Sequence, residues 1–239
     1  MQMTRRAAVA GAMTRVMPRD MTGAMACATA SAMTAAPAVA QAPGWQASLR
    51  GMEGFRPWTP SERPGVRLLN TNVQTLTGQA TVRAWLGGRP TVLVIWASWC
   101  PPCMSEKRWQ AALATYLTRT GARAQLKALN AFDHGGLPQA RDRLDRLGAQ
   151  ALETGLATER AQQALLYIFG LDHDARSTSR TTSHIDALST SLPFSLLFAA
   201  DGTLLGQMIG AVRSEDGASY WLEPSTLDLL SALAQAPNG

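Results

Sequence analysis

Residues 96–106 read W-A-S-W-C-P-P-C-M-S-E, and this stretch decides the fold. The run that leads into it, Thr91–Ala97, is a continuous series of β-branched and apolar residues, which is typical of a strand buried on both faces of a sheet. The residues after it, Ser105–Thr118, predict a helix. The apolar face of this helix would consist of Trp109, Leu113, Tyr116 and Leu117. Cys100 and Cys103 are therefore expected where a buried strand passes into a helix.

The junction of a strand and a helix favours a reactive cysteine. Unpaired backbone N–H groups and the positive end of the helix dipole would face the sulfur of Cys100 and favour its thiolate form. Pro101 and Pro102 suit the first helical turn, where no N–H donor is needed. Cys103 follows one turn later and can attack a mixed disulfide at Cys100. The pair is therefore predicted to carry out thiol–disulfide exchange, with an exposed, attacking Cys100 and a resolving Cys103.

Two other uses of a Cys-x-x-Cys pair compete with this interpretation. Zinc binding needs two further ligands at suitable spacing, and the histidines His134, His173 and His184 are scattered along the chain. A structural disulfide would close so short a loop that its entropic stabilisation would be small. We therefore expect no metal and no bound cofactor, and the Cys100–Cys103 disulfide itself is the expected redox-active group.

Charge and length limit the class of protein. The chain has 239 residues and a formal net charge of +5, much of which comes from the arginines of residues 1–40. That segment combines a basic start, an alanine-rich middle and the A-x-A site Ala38–Ala40, which together predict an export signal. Without this segment the chain would be only slightly basic, which argues against a nucleic-acid-binding protein.

The predicted domain organisation follows from this signal. Residues 1–40 are interpreted as an export signal of the Sec or twin-arginine type, residues 41–65 as an irregular arm, and residues 66–236 as one compact domain. We expect the protein in the periplasm. Acylation at Cys27, which would make a lipoprotein, and an uncleaved membrane anchor are the alternatives.

The remaining pattern predicts a central sheet with helices on both faces. A hairpin is expected from Val66–Val73 and Gln79–Arg83, and a strand is expected within Ala122–Phe132. Downstream, the sequence predicts two amphipathic helices, a polar exposed loop, a second hairpin and a final helix. Their expected positions are Pro138–Gly148, Thr158–Gly170, Leu171–Ser191, Phe194–Ala199 with Thr203–Val212, and a helix from Pro224 that carries Leu227, Leu230, Leu233 and Ala234.

The stretch Trp96–Cys103 resembles the active-site signature of the thioredoxin superfamily. With its following Glu and the export signal, it is similar to the TlpA/ResA/DsbE-like branch of periplasmic thiol-disulfide oxidoreductases. The similarity spans Val66–Ala234 and includes Leu76–Gly78, Gly88–Pro90 and Leu192–Phe198. The resemblance implies a thioredoxin-like three-layer α/β fold. Its central mixed β-sheet would be flanked by helices, with an N-terminal β-hairpin extension and an inserted helical segment.

Supporting residues are expected around the cysteines. By the resemblance, Pro193 would be a cis-proline that faces the disulfide, and Glu106 matches an acid typical of the branch. Trp99 would shield the couple from small oxidants. Val94 stands where many thioredoxins keep a buried acid, so proton transfer to Cys103 must use water or another group.

The expected function is that of a disulfide reductase recharged by a membrane thiol donor of the DsbD/CcdA type. Its substrates would be extracytoplasmic protein disulfides, for example in cytochrome c maturation or copper-site assembly, and the protein would be a monomer. Apolar Leu192 and Phe194 would suit an extended substrate segment that pairs with the backbone before Pro193. A dithiol oxidase of the same fold and a copper-binding assembly module are the alternatives.

Overall fold

The computed structural model describes residues 55–57, 65–133, 135–168, 192–210 and 220–235. The strands are β1 (Phe55–Pro57), β2 (Asn72–Thr75), β3 (Gly78–Thr81), β4 (Thr91–Trp96), β5 (Gln125–Asn130), β6 (Thr154–Ala157), β7 (Phe194–Phe198) and β8 (Leu204–Ile209). The helices are α1 (Gly65–Leu69), α2 (Val82–Leu86), α3 (Pro101–Arg119), α4 (Gly136–Arg146), α5 (Glu159–Ile168) and α6 (Pro224–Gln235), with a 3-10 turn at Tyr220–Leu222.

The described strands form one mixed sheet in the order β1-β8-β7-β4-β5-β6-β2-β3. The neighbours β4, β5 and β6 run parallel, whereas the other neighbouring pairs are antiparallel. Parallel neighbours need a crossover connection, which α3 supplies between β4 and β5, and α4 between β5 and β6. The predicted central mixed sheet is therefore confirmed.

Side chains of β4 and β5 indicate that helices cover both faces of the sheet. Trp96 is the register partner of Asn130, and the Lys107 ammonium of α3 lies over the Trp96 ring, so α3 covers this face. Lys127 stands on the opposite face, because side chains alternate along a strand. There it donates a 2.7 Å hydrogen bond to the carbonyl of Trp85 in α2. This arrangement confirms the expected thioredoxin-like fold class.

The strand and helix predicted around the cysteines are confirmed. All residues of β4 are buried, as the continuous apolar run Thr91–Trp96 predicts. In α3, Leu113 and Leu117 are buried and Trp109 packs partly buried against the core. Tyr116 does not belong to this apolar face, because it is 38% exposed at the edge of the buried stripe. That part of the prediction is wrong.

The first predicted hairpin is shorter than expected. Its strands are β2 and β3, joined at the turn that contains Gly78, whose φ of 126° favours glycine. The residues predicted as the start of the first strand form α1 instead, because Leu68 and Leu69 are buried while Val66 is exposed, a pattern that a strand alternation does not fit. Val82 and Arg83, predicted as strand residues, open α2.

Two short strands were not predicted. The segment between the helices α4 and α5, taken as a plain helix–helix connection, contains β6, which extends the parallel part of the sheet. Gly155 weakens its strand propensity, yet a Cβ at this position would collide with Val73 and press on the Trp85 ring. The predicted irregular arm contains β1, which pairs with β8.

The other predicted elements agree where they can be compared. The helices α4 and α5 bury Ala140, Leu144, Ala161 and Leu165, and the hairpin β7–β8 turns at Asp201-Gly202. In α6, Leu230 is buried. Residues 1–40, the loop 171–191 and residues 211–212 lie outside the described residues, so the predictions made for them stay predictions. Among the described helices, none combines the length and apolarity that a membrane crossing requires.

Candidate active site

Cys100 and Cys103 form a disulfide at the junction of β4 and α3, with their Cα atoms 5.3 Å apart. Cys100 is the N-cap residue of α3, and its sulfur accepts a 3.2 Å hydrogen bond from the backbone N–H of Cys103. Pro101 and Pro102 occupy the first helical turn, as the sequence predicted. This geometry places the Cys100 sulfur at the positive end of the helix dipole, where a thiolate would be stabilised after reduction.

Both cysteines are buried in this oxidised state. Cys100 is 2% exposed and Cys103 is fully buried, so the expectation of an exposed first sulfur is wrong for the disulfide form. In this form the Cys100 sulfur is bonded to the sulfur of Cys103, which is fully buried. Burial therefore does not distinguish the two sulfurs, and the assignment of Cys100 as nucleophile still rests on its position at the helix N-terminus.

A loop after β5 holds the residues that precede the disulfide. The backbone N–H of Ser98 donates to both carboxylate oxygens of Asp133, each at 3.0 Å, and Asn130 Nδ2 donates to the same carboxylate at 2.6 Å. Trp99 Nε1 donates to the Phe132 carbonyl at 3.2 Å, and Phe132 itself has a left-handed φ of 68°. Two hydrogen-bonded links thus join this loop to the chain just before Cys100.

Sequence reasoning missed Asp133, although a signal for it existed. Asp133 follows β5, and the carboxyl ends of the parallel strands β4 and β5 meet at one edge of the sheet, where the cysteines also lie. A polar residue after the neighbouring parallel strand was therefore a candidate for this site. Trp99, which sequence reasoning did select, is 45% exposed beside the disulfide in the chain.

Pro193 lies at the same edge of the sheet as the cysteines. The Leu192–Pro193 peptide bond is cis, and the Pro193 carbonyl accepts a 2.8 Å hydrogen bond from Gly210 N. Phe194, the next residue, is the register partner of Ile95 in β4, which brings Pro193 level with the end of that strand. The role of Pro193 toward the disulfide stays a prediction. Leu192 and Phe194 are buried, so their side chains are not the apolar substrate surface that we expected.

Glu106 belongs to a buried polar cluster on α3. Glu106 is 5% exposed, and its Oε2 accepts a 3.0 Å hydrogen bond from Gln110 Nε2. The Oε1 atom of Gln110 accepts a 2.7 Å hydrogen bond from Lys107 Nζ, which lies 4.9 Å from the centroid of the Trp96 ring. Burial lowers the pKa of Lys107 from 10.5 to about 7, against the opposing effect of the Glu106 charge.

The sequence contains only a weak signal for this cluster. Lys107 was not selected as a site residue, because a lysine on a helix is normally solvated. Its spacing of four residues from Cys103 was the available signal, because residues at this spacing share a helix face. The buried face of α3 therefore carries titratable groups next to the disulfide.

The described residues contain no group of three or more His, Cys, Asp and Glu side chains arranged to hold a metal ion. The histidines that a copper site with the cysteines would use, His134, His173 and His184, lie outside the described residues. The copper alternative is therefore not tested by this geometry.

Comparison with known proteins gives only distant likenesses. No protein-family model matches the chain. No curated protein matches it either. Solved structures that it resembles include a thiol:disulfide interchange protein of the thioredoxin family from Chlorobium tepidum (19% identity, 69% of this chain and 92% of that chain, TM-score 0.43). A secreted thiol-disulfide isomerase from Corynebacterium glutamicum is 15% identical over 77% of this chain and 93% of its own, with a TM-score of 0.48.

A third likeness is to a secreted disulfide oxidoreductase from Mycobacterium tuberculosis that is homologous to E. coli DsbE. It is 16% identical, covers 71% of this chain and 98% of that chain, and has a TM-score of 0.40.

Proposed function

We propose that this protein is a thiol–disulfide oxidoreductase that uses Cys100 and Cys103 as its redox couple. The observation that carries the proposal is the disulfide between these residues at the N-terminus of α3, with the Cys100 sulfur already accepting a backbone N–H hydrogen bond. The same N–H group and the helix dipole would stabilise the Cys100 thiolate once the bond is reduced. A stabilised thiolate is the attacking species and the leaving group of disulfide exchange.

The reaction proceeds through a mixed disulfide. The Cys100 thiolate attacks one sulfur of a substrate disulfide, a Cys100–substrate bond forms, and the substrate S–S bond breaks to release a thiolate that takes a proton. Cys103 then loses its proton and attacks the Cys100 sulfur. The bond between Cys100 and the substrate breaks, and the second substrate sulfur leaves and takes a proton. Two electrons pass to the substrate, and the Cys100–Cys103 disulfide is formed.

The proposed direction is reduction of extracytoplasmic protein disulfides, with cytochrome c maturation or copper-site assembly as examples of the pathway. A membrane thiol donor of the DsbD/CcdA type would return electrons to the couple, and the protein would act as a monomer in the periplasm. The export signal proposed for residues 1–40 supports this location. We expect a reduction potential below about −200 mV, on the reducing side of the range of known carriers.

A trapping experiment tests the site. Cys103→Ser should accumulate a mixed disulfide with a disulfide-bonded peptide, because the resolving sulfur is missing, whereas Cys100→Ser should accumulate none. Mass spectrometry under non-reducing conditions measures both, and Cys27→Ser, which lies in the proposed export signal, is the matched control. Trapping by Cys100→Ser would reverse the assignment.

Equilibration with glutathione tests the direction. A potential near about −120 mV would replace the reductase by a dithiol oxidase, while the assignment of the cysteines would stand. Copper titration of the reduced protein tests the third alternative. Tight binding of one copper ion without catalysis of disulfide exchange would replace both redox proposals by a copper-binding module.

A further inference from the structure

A stripe of buried polar residues runs along α3 from the disulfide. Its members are Cys103, Glu106, Lys107 and Gln110, which are spaced three or four residues apart and therefore share one helix face. Cys103, Lys107 and Gln110 have no solvent exposure, and Glu106 has 5%. A fully buried lysine is rare, and its position one turn after the predicted resolving cysteine is not explained by the exchange mechanism above.

The surroundings of Lys107 leave its charge weakly compensated. Its described hydrogen bond goes to Gln110 Oε1, which is a neutral amide oxygen, and its remaining described contact is the face of the Trp96 ring. Gln110 bridges to Glu106, so the carboxylate acts on the ammonium across the amide. Burial lowers the pKa of Lys107 to about 7, and Glu106 opposes this effect. The protonation of Lys107 is therefore sensitive to any new charge nearby.

Few other charges act on this cluster from the elements packed against α3. On β5, Lys127 lies on the far face of the sheet, where it binds Glu153. The neighbouring strand β4 has no charged residue. The turn Tyr220–Leu222 is followed by the partly exposed Glu223, and α6 carries the exposed Asp228. Within the described residues, Glu106 is the charge that opposes the loss of the Lys107 proton.

Helix spacing places Lys107 and Cys103 on the same buried face of α3, because they are four residues apart. In the disulfide form Lys107 Nζ donates to Gln110 Oε1 on this face. In the disulfide Cys103 carries no charge, but the resolving step requires its thiolate. That thiolate would form on the same buried face as the Lys107 amine, where water contributes little screening.

We propose that Lys107 is a positioning residue that acts through Cys103, because it binds a proton when the Cys103 thiolate forms and so compensates that charge. The proposal rests on the proposed oxidoreductase function. The proton leaves the Cys103 sulfur and a proton is held at Lys107 Nζ, so the buried face gains no net charge and no electrons move in this step. When Cys103 has attacked Cys100, the departing substrate thiolate takes up a proton and Lys107 can return to its neutral form.

The test is a titration of Cys103 as the sole cysteine of the full chain. In the Cys27→Ser, Cys100→Ser background, cysteine labelled with ¹³C at Cβ reports the thiolate of Cys103 by its NMR shift as the pH is raised. Lys107→Met should move the midpoint upward by at least about one pH unit, which is a tenfold loss of thiolate at a given pH. Lys107→Arg should keep the low midpoint, because the guanidinium stays charged.

Lys127→Met is the matched control, because Lys127 is also a buried lysine that lies over a tryptophan ring, at 5.1 Å from the Trp85 centroid, but on the other face of the sheet. It should leave the Cys103 midpoint unchanged. If Lys107→Met does not fold, Lys107→Gln removes the charge while keeping a side chain that can bond to Gln110. An unchanged midpoint in whichever of Lys107→Met and Lys107→Gln folds, or an equal shift in Lys127→Met, would overturn the proposal.

A kinetic measurement connects the titration to function and separates the two proposals. With Cys100 restored, Lys107→Met should resolve a mixed disulfide with a small peptide about tenfold more slowly near pH 7, and a rise in pH should recover the rate. If the unsubstituted protein fails to exchange disulfides, the proposed function fails. If it exchanges them and Lys107→Met resolves at the same rate and with the same pH profile, only the role of Lys107 fails.

Discussion

Two buried lysines, Lys107 and Lys127, each lie over a tryptophan ring, yet they have different partners. Lys127 Nζ donates to the Trp85 carbonyl at 2.7 Å and to Glu153 Oε1 at 2.8 Å, and the Glu153 side chain is 56% exposed. Lys107 donates to the amide of Gln110 and is completely buried. Of the two lysines, Lys107 has a neutral amide as its described hydrogen-bond partner, whereas Lys127 contacts a carboxylate directly.

The two lysines also belong to different regions of the sheet. Lys127 joins β5 to α2 and, through Glu153, to the residues just before β6, on the face away from α3. Lys107 follows the disulfide in α3, the helix whose N-cap residue is Cys100. We therefore expect substitutions around Lys127 to change stability alone, whereas substitutions around the disulfide and Lys107 change redox behaviour.

The largest expected effect separates these regions by activity. Cys100→Ala should reduce the rate of disulfide exchange to the uncatalysed background, because it removes the attacking sulfur. Glu153→Ala, at the other region, should leave the rate unchanged, because the carboxylate contacts Lys127 and Trp85 only through hydrogen bonds remote from the couple. Reduction of an insulin-type substrate measures both variants. Residual disulfide exchange by Cys100→Ala would show that Cys103 can act as the attacking sulfur. A reduced exchange rate in Glu153→Ala would contradict the division into two regions.

The next prediction uses the pH dependence of stability in the oxidised protein. The pKa of Lys107 is about 7 in the folded state and 10.5 is its ordinary value, so the unfolded chain binds more protons between these values. Stability should therefore rise with pH in this window, by roughly 2 kcal/mol between pH 7 and pH 9. Urea unfolding at a series of pH values measures the rise.

The matched variants sharpen this prediction. Lys107→Met should lose the rise in stability above pH 7, because the titrating amine is gone, whatever its effect on stability at a single pH. Lys127→Met should keep the rise. A slope that survives in Lys107→Met would mean that another group titrates, and the interpretation of the buried cluster would be wrong.

A third pair of substitutions compares two carboxylates, Asp133 and Glu153, each of which accepts hydrogen bonds from two other residues. Asp133→Ala leaves the part-buried backbone N–H of Ser98 and the amide of the buried Asn130 without their shared acceptor, which should cost about 1–3 kcal/mol of unfolding free energy. Glu153→Ala should cost about 1 kcal/mol, because its carboxylate is largely exposed. Asp133→Ala should additionally slow exchange, since Ser98 precedes the active-site stretch. Equal exchange rates in the two variants, measured with the same substrate, would show that Asp133 does not support the active site.

The sequence predicted the strand β4, the position of the cysteines and the hairpin β7–β8 because strong local patterns encode them. Each pattern has a direct physical cause. A continuous apolar run predicts a buried strand, two prolines suit a first helical turn, and an Asp-Gly pair suits a hairpin turn. The short strands β1 and β6 lack such a pattern, because their pairing depends on distant partners in β8 and β5. The strand propensity of Gly155 is low, and only the packed Val73 and Trp85 side chains explain its presence.

The site was predictable only where motif and local geometry coincide. The redox role of Cys100 and Cys103 is predicted by their spacing in the sequence. The hydrogen bonds of Asp133 and the burial of Lys107 arise instead from the tertiary packing of α3 and β5. Glu106 was named from resemblance, but its hydrogen bond to Gln110 required the structure. A lysine in the second turn of a helix has no sequence feature that distinguishes a solvated side chain from one buried against a tryptophan ring.

The smallest expected effects concern two exposed apolar side chains, one next to the disulfide in the chain and one in the turn between β2 and β3. Trp99 is 45% exposed and donates to the Phe132 carbonyl, whereas Leu76 is 64% exposed in the turn between β2 and β3. Trp99→Phe keeps an aromatic ring but loses the donor, so it should cost about 0.5–1 kcal/mol of stability and slow exchange modestly. Leu76→Ser should change stability by less than about 0.5 kcal/mol and leave exchange unchanged. Urea unfolding and peptide reduction measure both, and an effect of Leu76→Ser on exchange equal to that of Trp99→Phe would show that exposed apolar residues at either end of the sheet contact the substrate.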